Sequence, residues 1–119
     1  VPESRRVLVT DHDAMEYFAA AYDFTVAGSV IPAGTTLAEP SSADLQALVE
    51  VMKSAGVTAI FANAAQPAAL ADAVAAEVGA DVVVVSLFIE SLGEPGSEAG
   101  TYTTMMLTNA ERIADALRN

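Results

Sequence analysis

The chain has no cysteine and no tryptophan, a single histidine, and five Lys and Arg residues against sixteen Asp and Glu. Without cysteine there is no disulfide and no thiolate metal site. A formal net charge of −11 repels a phosphate backbone, so nucleic acid is excluded as a partner class. The same charge attracts cations, although acidic surfaces also serve solubility alone. No stretch approaches the roughly 18 consecutive apolar residues that a membrane-spanning helix needs. The opening "VPESRRVLVT" lacks the apolar core of a signal peptide, although a leader removed during processing leaves no trace.

Several catalytic and binding motifs are absent as well. No Gly-x-Gly-x-x-Gly follows the first strand-like segment, and no phosphate-binding Gly-Lys-Ser/Thr loop occurs. No Gly-x-Ser-x-Gly elbow offers a nucleophile, and a Ser-His-Asp triad would have to use His12. Asp11 and Asp13 suggest the acidic pocket of a phospho-receiver domain. That pocket also requires an aspartate where this chain has Asn63, and a lysine late in the fold, whereas the only lysine is Lys53. Asp11 and Asp13 are better explained as helix N-terminal residues, where carboxylates accept free N–H groups at the positive dipole end.

What the chain does have is aliphatic. It is 53% hydrophobic over 119 residues, enough for the core of one domain. The pattern alternates strands and helices. Segments 6–10, 24–31, 57–63 and 81–88 are short, β-branched and apolar. "DVVVV" (81–85) does not alternate, so both faces of that strand are expected to be buried. Between the strands run helical periodicities over 13–23, 43–56, 66–79 and 101–119. The first predicts Met15, Phe18, Ala19 and Tyr22 facing inward. The second predicts Leu45, Leu48, Val49 and Met52. The third predicts Leu70, Val74 and Val78, and the last Tyr102, Met106, Ile113 and Leu117, with Met105 and Met106 as core filler. Ser41 or Ser42 can cap the second helix, and Asp44 lies three residues after Ser41, a capping-box spacing. Gly56 and Gly79 suit helix ends, and Pro67 a first turn. Stretches 32–42 and 93–100 read as loops.

Four strands alternating with four helices predict a three-layer α/β/α domain with a four-stranded parallel sheet over residues 1–119. In such sheets ligands bind beyond the carboxyl ends of the strands. His12, expected two residues past the first strand, falls there. So do Asn63 at the end of the third and Ser86, Glu90 and Ser91 around the end of the fourth. Imidazole and carboxylate both bind zinc and other first-row divalent ions. Spacing alone leaves His12 and Glu90 open between metal ligands and ordinary surface residues.

A resemblance sharpens this. "LVTDHDAMEYFAAAYDF" (8–24) is similar to the segment T-x-H-D-A-x-x-Y-F-x-x-x-Y of the metal-binding lipoproteins of bacterial ABC importers for zinc and manganese, the cluster A-I solute-binding proteins. "TTLAEPSSADLQALVEVMKSAGVTAIFAN", "QPAALADAVAAEVGADVVVVSLF" and "GTYTTMMLTNAERIADAL" resemble that family's later segments in order, ending in its Y-x-x-M-M-x-x-N helix. The resemblance implies the C-terminal lobe of a two-lobe protein whose metal sits between the lobes. The N-terminal lobe and the linking helix are absent from these residues. His12 and Glu90 then hold the metal, with Asp11 or Asp13 orienting the second imidazole nitrogen. Glu90 departs from the aspartate usual there, and Asn63 stands where relatives often carry glutamate and receives no ligand role. The implied cargo is zinc, favoured by the histidine, or manganese. The implied partner is a membrane permease, and the implied location is extracytoplasmic, with a lipoprotein anchor on the full-length form. No catalysis is implied. A metal-dependent hydrolase with an open coordination site is the alternative class. Self-association of the isolated lobe is a further expectation, because a face normally covered by the first lobe is left open.

Overall fold

The computed structural model describes residues 1–12, 15–31, 41–64, 69–79, 81–89 and 92–118, with Asp11, His12 and Ile31 described by backbone alone. A 3-10 turn (Glu3–Arg5) leads into strand β1 (Val7–His12), helix α1 (Glu16–Tyr22), β2 (Thr25–Ile31), α2 (Ser42–Ala55), β3 (Ala59–Asn63), α3 (Ala69–Val78), β4 (Val83–Leu87) and α4 (Tyr102–Arg118). The four strands form one sheet in the order β2-β1-β3-β4, and every pairing is parallel. This is the βα alternation and parallel sheet expected from the sequence. Consecutive residues of β1 feed opposite cores. Val9 joins Val30, Leu48, Met52, Ile60 and Val74 beneath α2 and α3. Leu8 joins Met15, Ala19, Phe61, Leu87 and Ile113 beneath α1 and α4. The pleat sends alternate side chains to opposite faces, which produces this division.

Local signals behave as their chemistry dictates. The Ser41 hydroxyl accepts the Asp44 N–H at 3.1 Å, and the Asp44 carboxylate accepts the Ser41 N–H at 3.2 Å, so the capping box at the start of α2 is complete. Gly56 ends α2 in the left-handed region at φ 65°, where glycine lacks the Cβ penalty. Asp23 ends α1 at φ 58°, a conformation that Asp tolerates better than most residues. Gly28 has a different reason. A Cβ there would lie 2.8 Å from Leu48 Cδ1, so its small size lets α2 approach β2. Pro67 lies outside the described residues.

Several expectations are corrected. β1 continues to His12, paired with Ile31 of β2, so His12 is on the strand and not two residues past it. Backbone pairing with β2 extends through the polar residues that suggested a helix start. α1 opens at Glu16, with Met15 at the N-cap position and no side-chain cap bond. Asp11 is therefore a strand residue, not a helix N-terminal one. β3, not β4, is buried along its whole length, because β3 is central and β4 is the sheet edge. Val83 is 50% exposed and Ser86 is exposed as well. Tyr22 and Tyr102 face outward, at 56% and 67% exposure. Tyr22 instead lies over Phe18, with ring centroids 4.9 Å apart. The inward face of α4 is Met105, Asn109, Ile113 and Leu117, and Met106 is only half-buried. The stripe keeps a strict four-residue spacing; Met105, Ile113 and Leu117 are buried as expected, and the member that apolar periodicity passes over is Asn109, because it is polar.

Candidate metal centre

The sheet order places β1 beside β3, although β2 follows β1 in the chain. The crevice between β1 and β3 is the switch point where open parallel sheets hold their ligands. Thr10 of β1 pairs with Phe61 of β3. Two residues further along each strand come His12 and Asn63, the last residues of β1 and β3. Asn63 in turn pairs with Leu87, the last residue of β4. The carboxyl ends of β1, β3 and β4 thus share one edge, with the single histidine of the chain on β1 beside the β1–β3 junction.

The α1/α4 face becomes polar toward that edge. Leu8 and Ala59 lie in its apolar layer. Thr10 comes next, 1% exposed, and its hydroxyl is the one buried side-chain polar atom without a hydrogen-bond partner among the described residues. Asn63 follows at 2% exposure. Glu90, Ser91 and Asp13 lie outside the described residues, as do the side chains of Asp11 and His12. Among the described residues no group of three His, Asp or Glu side chains is gathered closely enough to hold a metal. Among them also, no helix is long and apolar enough to cross a membrane.

The exit of β4 is controlled by residues that sequence reasoning left without a role. The Asn109 carboxamide accepts the Phe88 N–H and donates to the Phe88 carbonyl, each at 2.9 Å. Arg112 donates to the Ser86 carbonyl at 2.7 Å, pairs with Glu98, and sits 5.3 Å over the Phe88 ring. The available signal was an asparagine in register with an apolar helix stripe, since a buried amide needs specific partners.

An open parallel α/β lobe with a histidine at the switch point has the architecture of a small-ligand binding protein. The comparisons define the class further. The family described as zinc-uptake complex component A, periplasmic, matches residues 1–116, and the chain belongs to this ZnuA family. It is 37% identical over 121 residues to the zinc-binding protein TroA of Treponema pallidum, covering 98% of this chain and 39% of TroA. A solved structure of that periplasmic zinc-binding protein superposes with a TM-score of 0.80 at 38% identity, over 98% of this chain and 43% of TroA. The manganese-binding lipoprotein MntA of Bacillus subtilis is 34% identical over 122 residues, covering 99% of this chain and 39% of MntA. The manganese ABC transporter substrate-binding lipoprotein PsaA of Streptococcus pneumoniae is 26% identical over 117 residues, covering 98% of this chain and 37% of PsaA. The chain therefore spans about two fifths of the length of these relatives. They are named for the metal they bind or for transport, not for an enzymatic activity, and as periplasmic proteins or lipoproteins.

Proposed function

We propose that this chain is the C-terminal, metal-holding lobe of the solute-binding component of a bacterial ABC importer. It captures a divalent transition metal outside the cytoplasm and delivers it to the membrane permease, without catalysis. The full-length form is a lipoprotein. His12 supplies a nitrogen donor from the end of β1, and Glu90 supplies oxygen from the segment that follows β4. The other donors come from the first lobe of the full-length protein. The observation that carries this reading is the placement of His12, the only histidine, at the switch point between β1 and β3.

Zinc is the favoured cargo, because an imidazole donor suits zinc and all-oxygen donor sets suit manganese better. The relatives include both zinc-binding and manganese-binding proteins, so both metals belong in the test. Affinity alone would not decide, since most mixed nitrogen and oxygen sites bind zinc more tightly than manganese. In the full-length protein, His12→Ala is expected to lower zinc affinity at least about 100-fold, measured by competition with a chromogenic chelator. Unchanged affinity in that variant would remove the site assignment. Uptake of labelled zinc and manganese by cells carrying His12→Glu separates the two cargoes. Unimpaired zinc uptake there, with manganese uptake lost on deleting the gene, would identify a manganese carrier.

A further inference from the structure

β4 is the edge of the sheet, yet its final residues do not lack partners. The Val83 N–H donates to the Thr58 carbonyl at 3.0 Å, and the Leu87 carbonyl accepts the Ala64 N–H at 2.8 Å. Residues 83 and 87 therefore turn their backbone groups toward β3. Strand alternation then turns those of 86 and 88 toward the open edge. Those two residues are the ones α4 engages. Arg112 takes the Ser86 carbonyl, and Asn109 takes both backbone groups of Phe88. Asn109 is 5% exposed and Arg112 lies one helical turn beyond it, so the two side chains stand in for a fifth strand.

The returning chain is tied to the same helix. The Thr108 hydroxyl donates to the Glu98 carbonyl at 2.7 Å, and the Glu98 carboxylate pairs with Arg112. The Gly93 N–H donates to the Ala99 carbonyl at 2.7 Å, which closes the loop on the buried Ala99. The chain on either side of residue 90 is thus anchored on consecutive turns of α4. The nearest anchor, Phe88, is two residues away.

We infer that Asn109 and Arg112 are positioning residues for the metal site, which act by fixing the exit of β4 and hence the approach of the Glu90 carboxylate. This rests on the proposed role of Glu90 as a ligand. Neither side chain needs to touch the metal. Ligand-supporting groups outside the coordination sphere typically change metal affinity 10- to 100-fold, and Asn109 acts here on the backbone that carries the ligand.

The test uses the full-length protein loaded with Co²⁺, whose visible d–d bands report coordination geometry, together with zinc affinity by chelator competition. Asn109→Ala is expected to lower zinc affinity about tenfold and to change the d–d bands at saturating cobalt. Arg112→Lys, which cannot hold Ser86 and Glu98 in one planar fork, is expected to lower affinity about threefold. Ile113→Val, on the same helix but facing the core, is expected to lower the melting temperature while leaving affinity and spectrum unchanged. In a Glu90→Ala background the effect of Asn109→Ala on affinity should vanish, because the residue acts through that carboxylate. If Asn109→Ala matches Ile113→Val in affinity and spectrum, the positioning role is wrong although Glu90 remains a ligand. The same holds if its tenfold effect persists in the Glu90→Ala background. If Glu90→Ala itself leaves affinity and spectrum unchanged, both the ligand assignment and the positioning role fall.

Discussion

The two faces of the sheet are built differently. Under α2 and α3 the core is aliphatic, made of valine, leucine, isoleucine, methionine and alanine. The groove between those two helices is rimmed by Glu50, Lys53 and Glu77, the usual solvated boundary of a closed layer. Under α1 and α4 the core also carries Thr10, Asn63 and Asn109, all buried. The cavities between those helices, about 570 and 440 Å³, share Phe18, Ala21, Tyr22 and Met106, and are lined mainly by apolar side chains. One face is wholly aliphatic, and the other gives up apolar burial to carry polar groups toward the carboxyl edge of the sheet. Buried polar groups add little stability unless fully hydrogen-bonded, so their concentration on one face is in keeping with the site proposed at that edge.

The sharpest contrast comes from truncating the closed face. Ile60 is fully buried beneath α2 and α3. Ile60→Ala is expected to destabilise by about 2–5 kcal/mol in denaturant unfolding, by lost transfer energy and an unfilled cavity. In the full-length protein its metal affinity at saturating fold should stay unchanged. A large affinity loss would mean that the two faces are not separable in this way.

On the other face, Thr10→Val tests whether the isolated hydroxyl costs stability. The substitution keeps the shape and removes a buried oxygen with no partner, so it should stabilise by about 1 kcal/mol. A destabilisation of that size would show that the hydroxyl is satisfied in solution, by a buried water or by a neighbour at the edge.

An effect of similar size and opposite sign lies at the start of α2. Ser41→Ala removes one half of the capping box and should cost about 1 kcal/mol, read as a lower denaturation midpoint with no change in metal affinity. An effect under about 0.3 kcal/mol would mean that Asp44 alone satisfies the helix start.

The legible parts of the fold were those set by local chemistry. The spacing of Ser41 and Asp44 fixed where α2 begins, and Gly56 where it ends. Apolar periodicity placed Leu48, Val49 and Met52 inward, as found. Family resemblance, rather than periodicity, singled out His12 and Glu90. Periodicity failed where burial depends on what lies opposite. Tyr102 and Tyr22 fit inward stripes by spacing but face the open side of α1 and α4. "DVVVV" resembles a central strand by composition, yet Val83 is half exposed because, among the described residues, β4 is the edge of the sheet.

By itself the sequence determined the βα alternation, the caps of α2, the aliphatic core and the placing of its one histidine near a strand end. These follow from side-chain period, capping chemistry and composition, all of which act over a few residues. Tertiary structure alone decided the strand order, which makes β3 central, β4 an edge and the β1–β3 junction the switch point. It also decided that Asn109 and Arg112, more than twenty residues from β4 in the chain, take over the backbone bonds of Phe88 and Ser86. The reason is that a hydrogen-bond donor on a helix shows no preference in sequence for its acceptor. Only packing α4 across the edge of β4 brings the carboxamide and the guanidinium to the carbonyls they hold.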